Sequence, residues 1–465
     1  MSTEVTDDRR VSGLDGIRGL AALFVVLHHT YLLSYPGFPA NTGPRWLSWL
    51  LYGHLAVVVF ITLSGFSLGI GPARRDWQLG GRARFAYRRA WRILPPYWAA
   101  LVFSLIIAWT VVPQPDELAP TGKSVVAYGL LLQDVIGSPT PNGAFWSIAV
   151  EAQLYVVFPL MLVLLRRAGT AVMVSVVTVA VAAVGVLAPH VAAVNLLLRL
   201  TPQFALLFAV GLAAAGILRA TDRVRRLPWQ WFALAAALPV LAWLVLRSTS
   251  RFADELFWVD LACAPAIALL LAAVATGRPR PLRRLLDTRP IRRLGTFSYS
   301  LYLIHAPIVV AVGEKIVAPH VRAGLPRFLV TLVLVVPLSL VAARWFAAVF
   351  EIPFQRYRSW SALREAVLAR RHPAPVAPPA GPAAAEPAAQ PCTQAAAQAA
   401  AQPAAQAAAQ PAAQAAAQPA AQAAAQPAAQ AAAQLVGRPK TAIGGAAIGR
   451  AQVPSISVVA IEPES

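Results

Sequence analysis

Charged residues and cysteine are both scarce in this chain. Only 13% of its 465 residues are Asp, Glu, Lys or Arg, whereas a soluble domain has about 25%. That is too little charge to cover the surface of a soluble globule of this size. The two cysteines, Cys263 and Cys392, are too few for a disulfide framework or a four-ligand zinc site. The composition therefore argues against a soluble globular protein and against a disulfide-stabilised one.

Acidic residues are the scarcer of the two charges. The chain has 20 Asp and Glu against 40 Lys and Arg, which gives a formal net charge of +20. Hydrophobic residues make up 58% of it, and the mean hydropathy is +0.59. High apolarity with few, mostly basic, charges is typical of a polytopic membrane protein, not of a nucleic-acid binder. The first ten residues are polar and no cleavage site follows, so we expect no removable signal peptide.

Ten segments are long and apolar enough to cross a membrane, which takes roughly 20 residues. They lie at about 14–35, 49–70, 94–112, 144–165, 170–188, 196–218, 229–246, 256–275, 297–317 and 327–350. The connections 71–93 and 276–296 hold seven arginines each and fall on the same side as the N-terminus. Arginine-rich connections stay in the cytoplasm. We therefore predict ten spans in a bacterial inner membrane, with both termini cytoplasmic.

The predicted fold is an all-α, polytopic membrane helix bundle with a different kind of segment at its C-terminal end. Residues 1–13 form a cytoplasmic N-terminus, 14–355 the ten-span membrane domain, and 356–371 a basic juxtamembrane segment. Residues 372–465 are rich in Ala, Gln and Pro, and a proline recurs at every eighth position from Pro403 to Pro427. Proline breaks the helix that alanine favours, so we predict a disordered, low-complexity tail. Repeat expansion explains this tail better than a role as a spacer.

The first span contains ionisable residues, which are costly in a bilayer and usually functional. Arg18 and His29 are eleven residues apart, so they share nearly one helix face and lie about 16 Å apart along the axis. Asp15 precedes Arg18 by one turn and is placed to pair with it. His28 points about 100 degrees away from His29. The shared face favours a functional role for Arg18 and His29 over a buried structural histidine.

Three further polar patterns have two interpretations each. Arg84, Arg88 and Arg92, with Arg89 beside them, form a stripe that suits phosphate groups or merely anchors the chain on the cytoplasmic side. Glu151 is an acid in an apolar helix and is either functional or a structural partner for a basic residue. In the ninth span Ser298, Tyr302 and His305 share one face, which fits a site lining or a buried polar network equally well.

Taken together, these segments resemble the acyltransferase family 3 membrane proteins, which include O-antigen acetylases and macrolide acyltransferases. The resemblance covers about residues 10–355 and rests on six motifs in order. They are Arg18 with His29, Val59–Phe66, Arg89-Ala-Trp-Arg92, Phe145-Trp-Ser-Ile-Ala-Val-Glu151, Ser298–His305 and Phe350-Glu-Ile-Pro353. Family members often have an acid just before the second of these blocks, where this chain has Val58. The role that this acid has in the family therefore cannot be assigned to a residue of this chain.

The resemblance implies an O-acyltransferase that moves an acyl group from acyl-CoA, most commonly acetyl-CoA, to a hydroxyl of a carbohydrate, glycolipid or macrolide-type acceptor. Acyl-CoA is a co-substrate, and we expect no tightly bound cofactor and no metal. His29 is the expected general base, because a neutral histidine accepts a proton at cellular pH. A covalent acyl-histidine route stays open. Arg89 and Arg92 are expected to bind the phosphates of CoA, and Arg18 to orient CoA or offset negative charge.

The remaining motif residues are expected to line the site. Glu151 either orients His29 or binds the acceptor, and we assign Asp15, Trp146, Tyr302 and His305 to substrate binding. Two other functions compete with acyl transfer. One is a transporter of an acyl or glycan compound that uses Arg18, His29 and Glu151 as a relay, although no inverted repeat is evident. The other is a regulatory or scaffold membrane protein with a vestigial site.

Overall fold

A computed structural model describes residues 11–37, 43–247, 252, 255–357 and 359–371. Every regular element in these ranges is helical, which confirms the all-α class for the described part of the chain. Most of the predicted N-terminal segment 1–13 and all of the predicted tail 372–465 lie outside the described residues. The predicted juxtamembrane segment falls on the last two helices.

Sixteen α-helices follow one another along the described chain. They are α1 (Leu14–Ser34), α2 (His54–Ala73), α3 (Arg82–Thr110), α4 (Gly122–Gly129), α5 (Trp146–Leu187), α6 (Ala192–Asn195), α7 (Gln203–Ala214), α8 (Asp222–Arg225), α9 (Trp229–Leu246), α10 (Leu256–Ala275), α11 (Arg280–Leu286), α12 (Arg289–Thr296), α13 (Ser298–Val312), α14 (Leu325–Phe346), α15 (Ile352–Arg356) and α16 (Trp360–Arg371). Short 3-10 turns cover Arg45–Tyr52, Leu196–Leu200 and Ala215–Arg219, and π turns cover Gly313–Val317 and Ala347–Glu351.

Within the described residues, eight helices are long and apolar enough to cross a membrane. They are the segments 14–34, 45–73, 82–110, 146–187, 229–246, 256–275, 298–317 and 325–356. A bent pair, Ala192–Leu200 and Gln203–Arg219, makes a ninth if it counts as one span, with a 52° angle between its halves. The chain is therefore a multi-pass membrane protein by the length and composition of its helices. The side on which each terminus lies stays a prediction.

The predicted fourth and fifth spans both fall within α5, a helical segment that is interrupted by a kink. It has 42 residues, which corresponds to about 63 Å and is twice the roughly 30 Å of a hydrocarbon core. Its backbone leaves the helical region at Gly169, with φ 87° and ψ 169°. Glycine is the residue that adopts such a conformation without steric strain. The kink lies between the two predicted segments, and the count of ten spans stays a prediction.

The basic connection before the third span is more ordered than the sequence analysis predicts. We predicted a span at 94–112 after a connection at 71–93, whereas α3 begins at Arg82 and ends at Thr110. The arginine stripe therefore lies on the first turns of the same helix that enters the apolar layer. That continuity fixes Arg89 and Arg92 relative to the rest of the bundle.

Small residues let the central helices approach closely. A Cβ at Gly65 of α2 would lie 2.1 Å from the Phe208 carbonyl oxygen of α7, and one at Gly211 would lie 2.0 Å from the Thr62 carbonyl oxygen. In α1, a Cβ at Gly19 would lie 2.7 Å from the Gly295 nitrogen of α12. Close backbone approach through small residues is the usual means of packing membrane helices. Helix α1 packs against α2, α12, α13 and α14 and so lies inside the bundle.

Candidate functional site

The polar side chains inside the bundle form two groups at different depths along α1. The arginine cluster is Arg18, Arg89 and Arg92, and it lies near the N-terminal end of α1. The histidine cluster is His28, His29, His54 and His305, and it lies near the C-terminal end. Eleven residues separate Arg18 from His29, which is about 16 Å along the helix axis. The two groups therefore lie too far apart for one small ligand to touch both.

Arg18 is held by two side chains of the bundle. Its guanidinium donates to the Asp15 carboxylate at 3.1 Å, one turn earlier in α1, and to the Ser67 hydroxyl of α2 at 2.6 Å. The predicted pairing of Arg18 with Asp15 is therefore present in the structure. Arg18 also interacts electrostatically with Arg92 and Glu151. Two positive groups that interact in this way repel each other, and an anionic ligand near both would relieve the repulsion.

Glu151 belongs to the arginine cluster rather than to the histidine cluster. Its carboxylate accepts hydrogen bonds from the Ser64 hydroxyl at 2.8 Å and from the Tyr155 hydroxyl one turn later. Among the described residues, no hydrogen bond joins Glu151 to His29. The geometry brings Glu151 to Arg18 and Arg89, with which it interacts electrostatically. The structure thus favours a partner for arginines over a direct partner for the histidine.

Arg89 has one polar atom without a protein partner. Its guanidinium lies over the rings of Phe85 and Tyr155, at 5.7 and 5.9 Å from their centroids. Its Nε is buried and makes no hydrogen bond to the described residues. A buried N–H without a partner is costly, since it loses its bond to water and gains nothing in return. An anionic oxygen next to Arg89 would satisfy this donor.

Arg92 is exposed and lies between Arg18, Arg89 and Glu351, with which it interacts electrostatically. Glu351 is 3% exposed and ends the π turn before α15. Its carboxylate accepts from the backbone N–H and the hydroxyl of Ser300 at 3.1 and 2.5 Å, and from Gln355 at 2.7 Å. In the sequence, Glu351 was recognised only as part of the motif Phe350-Glu-Ile-Pro353, and no role was predicted for it. The sequence feature that could have indicated a role is the position of this acid at the end of an apolar helix.

The hydrogen bonds of His29 determine which of its ring nitrogens is protonated. Nδ1 lies 2.9 Å from the Val25 carbonyl oxygen, and a carbonyl only accepts, so Nδ1 holds the proton. The same N–H points towards Nε2 of His305 at 3.3 Å. His305 is fully buried and donates its own Nδ1–H to the Tyr302 carbonyl at 2.7 Å. In the neutral ring, Nε2 of His29 is therefore unprotonated, and it makes no hydrogen bond to the described residues.

Tyr302 and Ser147 form a buried pair beside His305. The Tyr302 hydroxyl donates to the Ala144 carbonyl at 3.0 Å and lies 2.6 Å from the Ser147 hydroxyl. Ser298, the first residue of the predicted stripe, donates to the Gly295 carbonyl at 2.9 Å. The polar groups of this stripe are satisfied within the protein, which fits a buried network better than a freely accessible lining. Substrate binding by Tyr302 and His305 stays a prediction.

Within the histidine cluster, His54 is paired with a buried acid, Asp260. Asp260 of α10 is 0% exposed, and its two carboxylate oxygens lie 2.9 and 3.1 Å from Nε2 of His54. Trp146, which we assigned to substrate binding, stacks on the His54 ring at 5.7 Å with an interplanar angle of 6°. This pair was not predicted from the sequence. The sequence feature that could have indicated it is the single acid in the otherwise apolar segment 256–275.

No metal site accounts for the clustered histidines. The part of the chain that the structure describes has no group of three or more His, Cys, Asp or Glu side chains arranged to hold a metal ion.

The connection between α3 and α5 contains an acid with a shifted pKa, Asp134, which accepts a hydrogen bond from Gln153 at 3.0 Å. Burial raises the pKa of Asp134 to about 6, and the bond from Gln153 opposes that rise.

Comparison with known proteins gives a family and several distant relatives. A family model described as "Acyltransferase domain" matches residues 11–344. The Bacillus subtilis protein YrhL, named as a candidate peptidoglycan O-acetyltransferase, is 28% identical over 335 residues, which cover 65% of this chain. Acyltransferase MdmB of Streptomyces mycarofaciens is 26% identical over 321 residues, 64% of this chain and 79% of its own length.

The peptidoglycan O-acetyltransferase OatA of Listeria monocytogenes is 22% identical over 327 residues, 64% of this chain. The matched region spans only 49% of the length of YrhL and 49% of OatA. The chain therefore covers about half of these two relatives. No solved structure matches it.

Proposed function

Because the chain belongs to the acyltransferase family whose model covers residues 11–344, we propose that it transfers an acyl group from acyl-CoA to a hydroxyl. The acyl group is acetyl and the acceptor is a carbohydrate. Two of the relatives are named as peptidoglycan O-acetyltransferases, and the glycan strands of peptidoglycan offer such hydroxyls. The His29 ring, with its free Nε2 inside the bundle, is the observation on which this proposal mainly rests.

His29 acts as the general base. Its Nδ1–H is committed to the Val25 carbonyl, so Nε2 accepts the proton of the acceptor hydroxyl. The hydroxyl oxygen then attacks the thioester carbonyl carbon, and the carbon–sulfur bond breaks. The thiolate of CoA leaves and takes the proton back from Nε2. His305 accepts from the Nδ1–H of His29 and holds the ring in this tautomer.

The arginine cluster binds the phosphate end of the donor. The unpartnered Nε of Arg89 and the exposed guanidinium of Arg92 suit phosphate oxygens, because guanidinium forms paired, charge-assisted hydrogen bonds. Arg18 is bonded to Asp15 and Ser67 near the same end of α1, so it orients the phosphate end of acyl-CoA and not the reacting carbonyl. The pantetheine arm then spans the distance to His29.

The location of the arginine cluster leads to a proposed topology. Acyl-CoA is cytosolic, so the end of the bundle with Arg89 and Arg92 faces the cytoplasm of a bacterial inner membrane. Both termini of the membrane domain lie on that side. Labelling of Arg88→Cys in intact cells with a membrane-impermeant thiol reagent tests this orientation. Labelling without permeabilisation would contradict it.

The role of His29 is tested by measuring release of the CoA thiol and transfer of labelled acetyl to a glycan by the purified protein. His29→Gln removes the free ring nitrogen, and we expect at least a 100-fold lower rate, since general base catalysis contributes roughly 10²- to 10⁴-fold. His320→Gln is the matched control, because the His320 side chain is exposed and its contact within the described residues is to the Ile316 carbonyl of its own turn. Transfer by His29→Gln at the control rate would refute the assignment.

The role of the arginine cluster is tested on the same preparation. Arg89→Ala with Arg92→Ala removes two charge-assisted donors, each worth about 1.5–3 kcal/mol. We expect the KM for acetyl-CoA to rise by more than tenfold, while the exposed control Arg167→Ala leaves it unchanged. Loss of transfer without any rise in the KM for acetyl-CoA would contradict phosphate binding here.

A further inference from the structure

Asp260 and His54 form a buried pair to which the proposed mechanism assigns no role. Asp260 is completely buried in α10, and an ionised carboxylate there is costly unless it is well partnered. Both of its oxygens face Nε2 of His54, and Gln203 adds a third contact at 3.4 Å. A carboxylate only accepts, so Nε2 of His54 holds a proton. The structure thus fixes one tautomer of His54.

When the His54 ring is neutral, its opposite nitrogen has an open lone pair. With Nε2 protonated, Nδ1 of the neutral ring is a hydrogen-bond acceptor, and it has no hydrogen bond to the described residues. The side chain is 9% exposed, and its ring is fixed by stacking on Trp146 and by the Phe204 ring at 6.0 Å. A carboxylate and two aromatic rings hold an acceptor nitrogen in one direction. This arrangement is pre-organised for a hydroxyl donor.

The position of His54 in the bundle is close to His29. His28 interacts electrostatically with both His29 and His54, and a Cβ at Gly53 would lie 2.1 Å from Cγ of His28. Along α2, His54 is thirteen residues from Ser67, which bonds to Arg18. That separation is about 20 Å, against about 16 Å between Arg18 and His29 along α1. His54 therefore lies at the depth of His29 or slightly beyond it, away from the arginine cluster.

We infer that Nδ1 of His54 binds a second hydroxyl of the acyl acceptor, next to the hydroxyl that is acylated at His29. The inference rests on the proposed function, in which the donor approaches from the arginine cluster and the acceptor therefore comes from the opposite side. A ligand with two neighbouring hydroxyls is a polyol such as a sugar. Asp260 and Gln203 act as positioning residues for the His54 ring.

The test uses purified full-length protein with acetyl-CoA and a pentamer of β-1,4-linked N-acetylglucosamine as acceptor. His54→Gln keeps a donor in place of Nε2, so Asp260 keeps its partner, and it removes the acceptor nitrogen. We expect the KM for the pentamer to rise roughly 2- to 12-fold, the value of one neutral hydrogen bond. The KM for acetyl-CoA stays at the wild-type value. His320→Gln is the matched control and leaves both KM values unchanged.

The outcomes separate the inference from the proposed function. Wild-type protein that releases no CoA thiol from acetyl-CoA would refute the proposed function, and the inference with it. If wild-type protein releases CoA but does not acetylate the pentamer, the carbohydrate class assigned to His54 is wrong. An unchanged KM for the pentamer in His54→Gln would refute the inference alone. Equal rises in both KM values would show a merely structural role and would also overturn it.

Discussion

The contact between α2 and α7 gives a sharp prediction, because it links helix packing to the arginine cluster. In Gly65→Ala the new Cβ would lie 2.1 Å from the Phe208 carbonyl oxygen, whereas ordinary van der Waals contact begins at 3.4 Å. The obstructing atoms belong to the backbone and cannot rotate away. The two helices must therefore separate by at least 1.3 Å, the difference between these two distances.

The expected loss of stability exceeds what alanine gains as a helix former. Overpacking a tight contact costs about 1–3 kcal/mol, and we expect the upper part of this range because backbone must move. Alanine in place of glycine contributes up to about 1 kcal/mol in the other direction. The net result is a lower melting temperature for Gly65→Ala in detergent.

The same displacement reaches the site through the neighbours of Gly65. Ser64 donates to Glu151 at 2.8 Å, and Ser67 accepts from Arg18 at 2.6 Å. A shift of α2 by more than 1 Å disturbs both of these hydrogen bonds. We therefore expect the KM for acetyl-CoA to rise in Gly65→Ala even at temperatures where the protein is folded.

The matched control lies on the same helix. In Gly71→Ala the nearest atom to the new Cβ is the Nη2 of Arg75 at 3.5 Å, the end of a flexible side chain. We expect this variant to melt at or above the wild-type temperature with an unchanged KM. If Gly65→Ala matched Gly71→Ala in both measurements, the close approach of α2 and α7 would be refuted.

Two further predictions concern buried acids. Asp134 has a pKa of about 6 in the folded protein, against an ordinary value of 3.8, so folding favours the protonated carboxyl. The stabilisation that this group contributes is fully present below pH 3.8 and is lost as the pH rises through 6. The melting temperature of Asp134→Asn relative to wild type should therefore increase between pH 4 and pH 7, and a constant difference would contradict this. Glu351→Gln places an amide donor against the donors of Ser300 or Gln355. We expect the free energy of unfolding to fall by about 1–3 kcal/mol, which thermal melting measures. The exposed control Glu365→Gln should melt like wild type.

Much of the site was predictable because helical periodicity acts within one helix. The eleven-residue spacing of Arg18 and His29 predicted one shared face, and the spacing of Asp15 and Arg18 predicted their ion pair at 3.1 Å. Each of these follows from rise and rotation along a single helix.

Contacts between helices were not predictable in the same way. Glu151 was expected either to orient His29 or to bind the acceptor, and its hydrogen bonds in the structure go to Ser64 and Tyr155. The pair of His54 and Asp260 joins residues 206 positions apart, and no spacing rule connects two spans that distant in sequence. The sequence shows Asp260 as a charged residue in an apolar helix, where burial is energetically costly, but it does not indicate that His54 is its partner.

The sequence by itself determined that this chain is a helical, multi-pass membrane protein of the acyltransferase family, because apolar length, basic connections and ordered motifs are local properties. Only the tertiary structure decided which ring nitrogen of His29 is free and which side chains surround each arginine. Hydrogen-bond partners depend on which helices lie side by side and at what depth. Those are set by the packing of glycine-lined faces between helices, which the order of residues along one span does not contain.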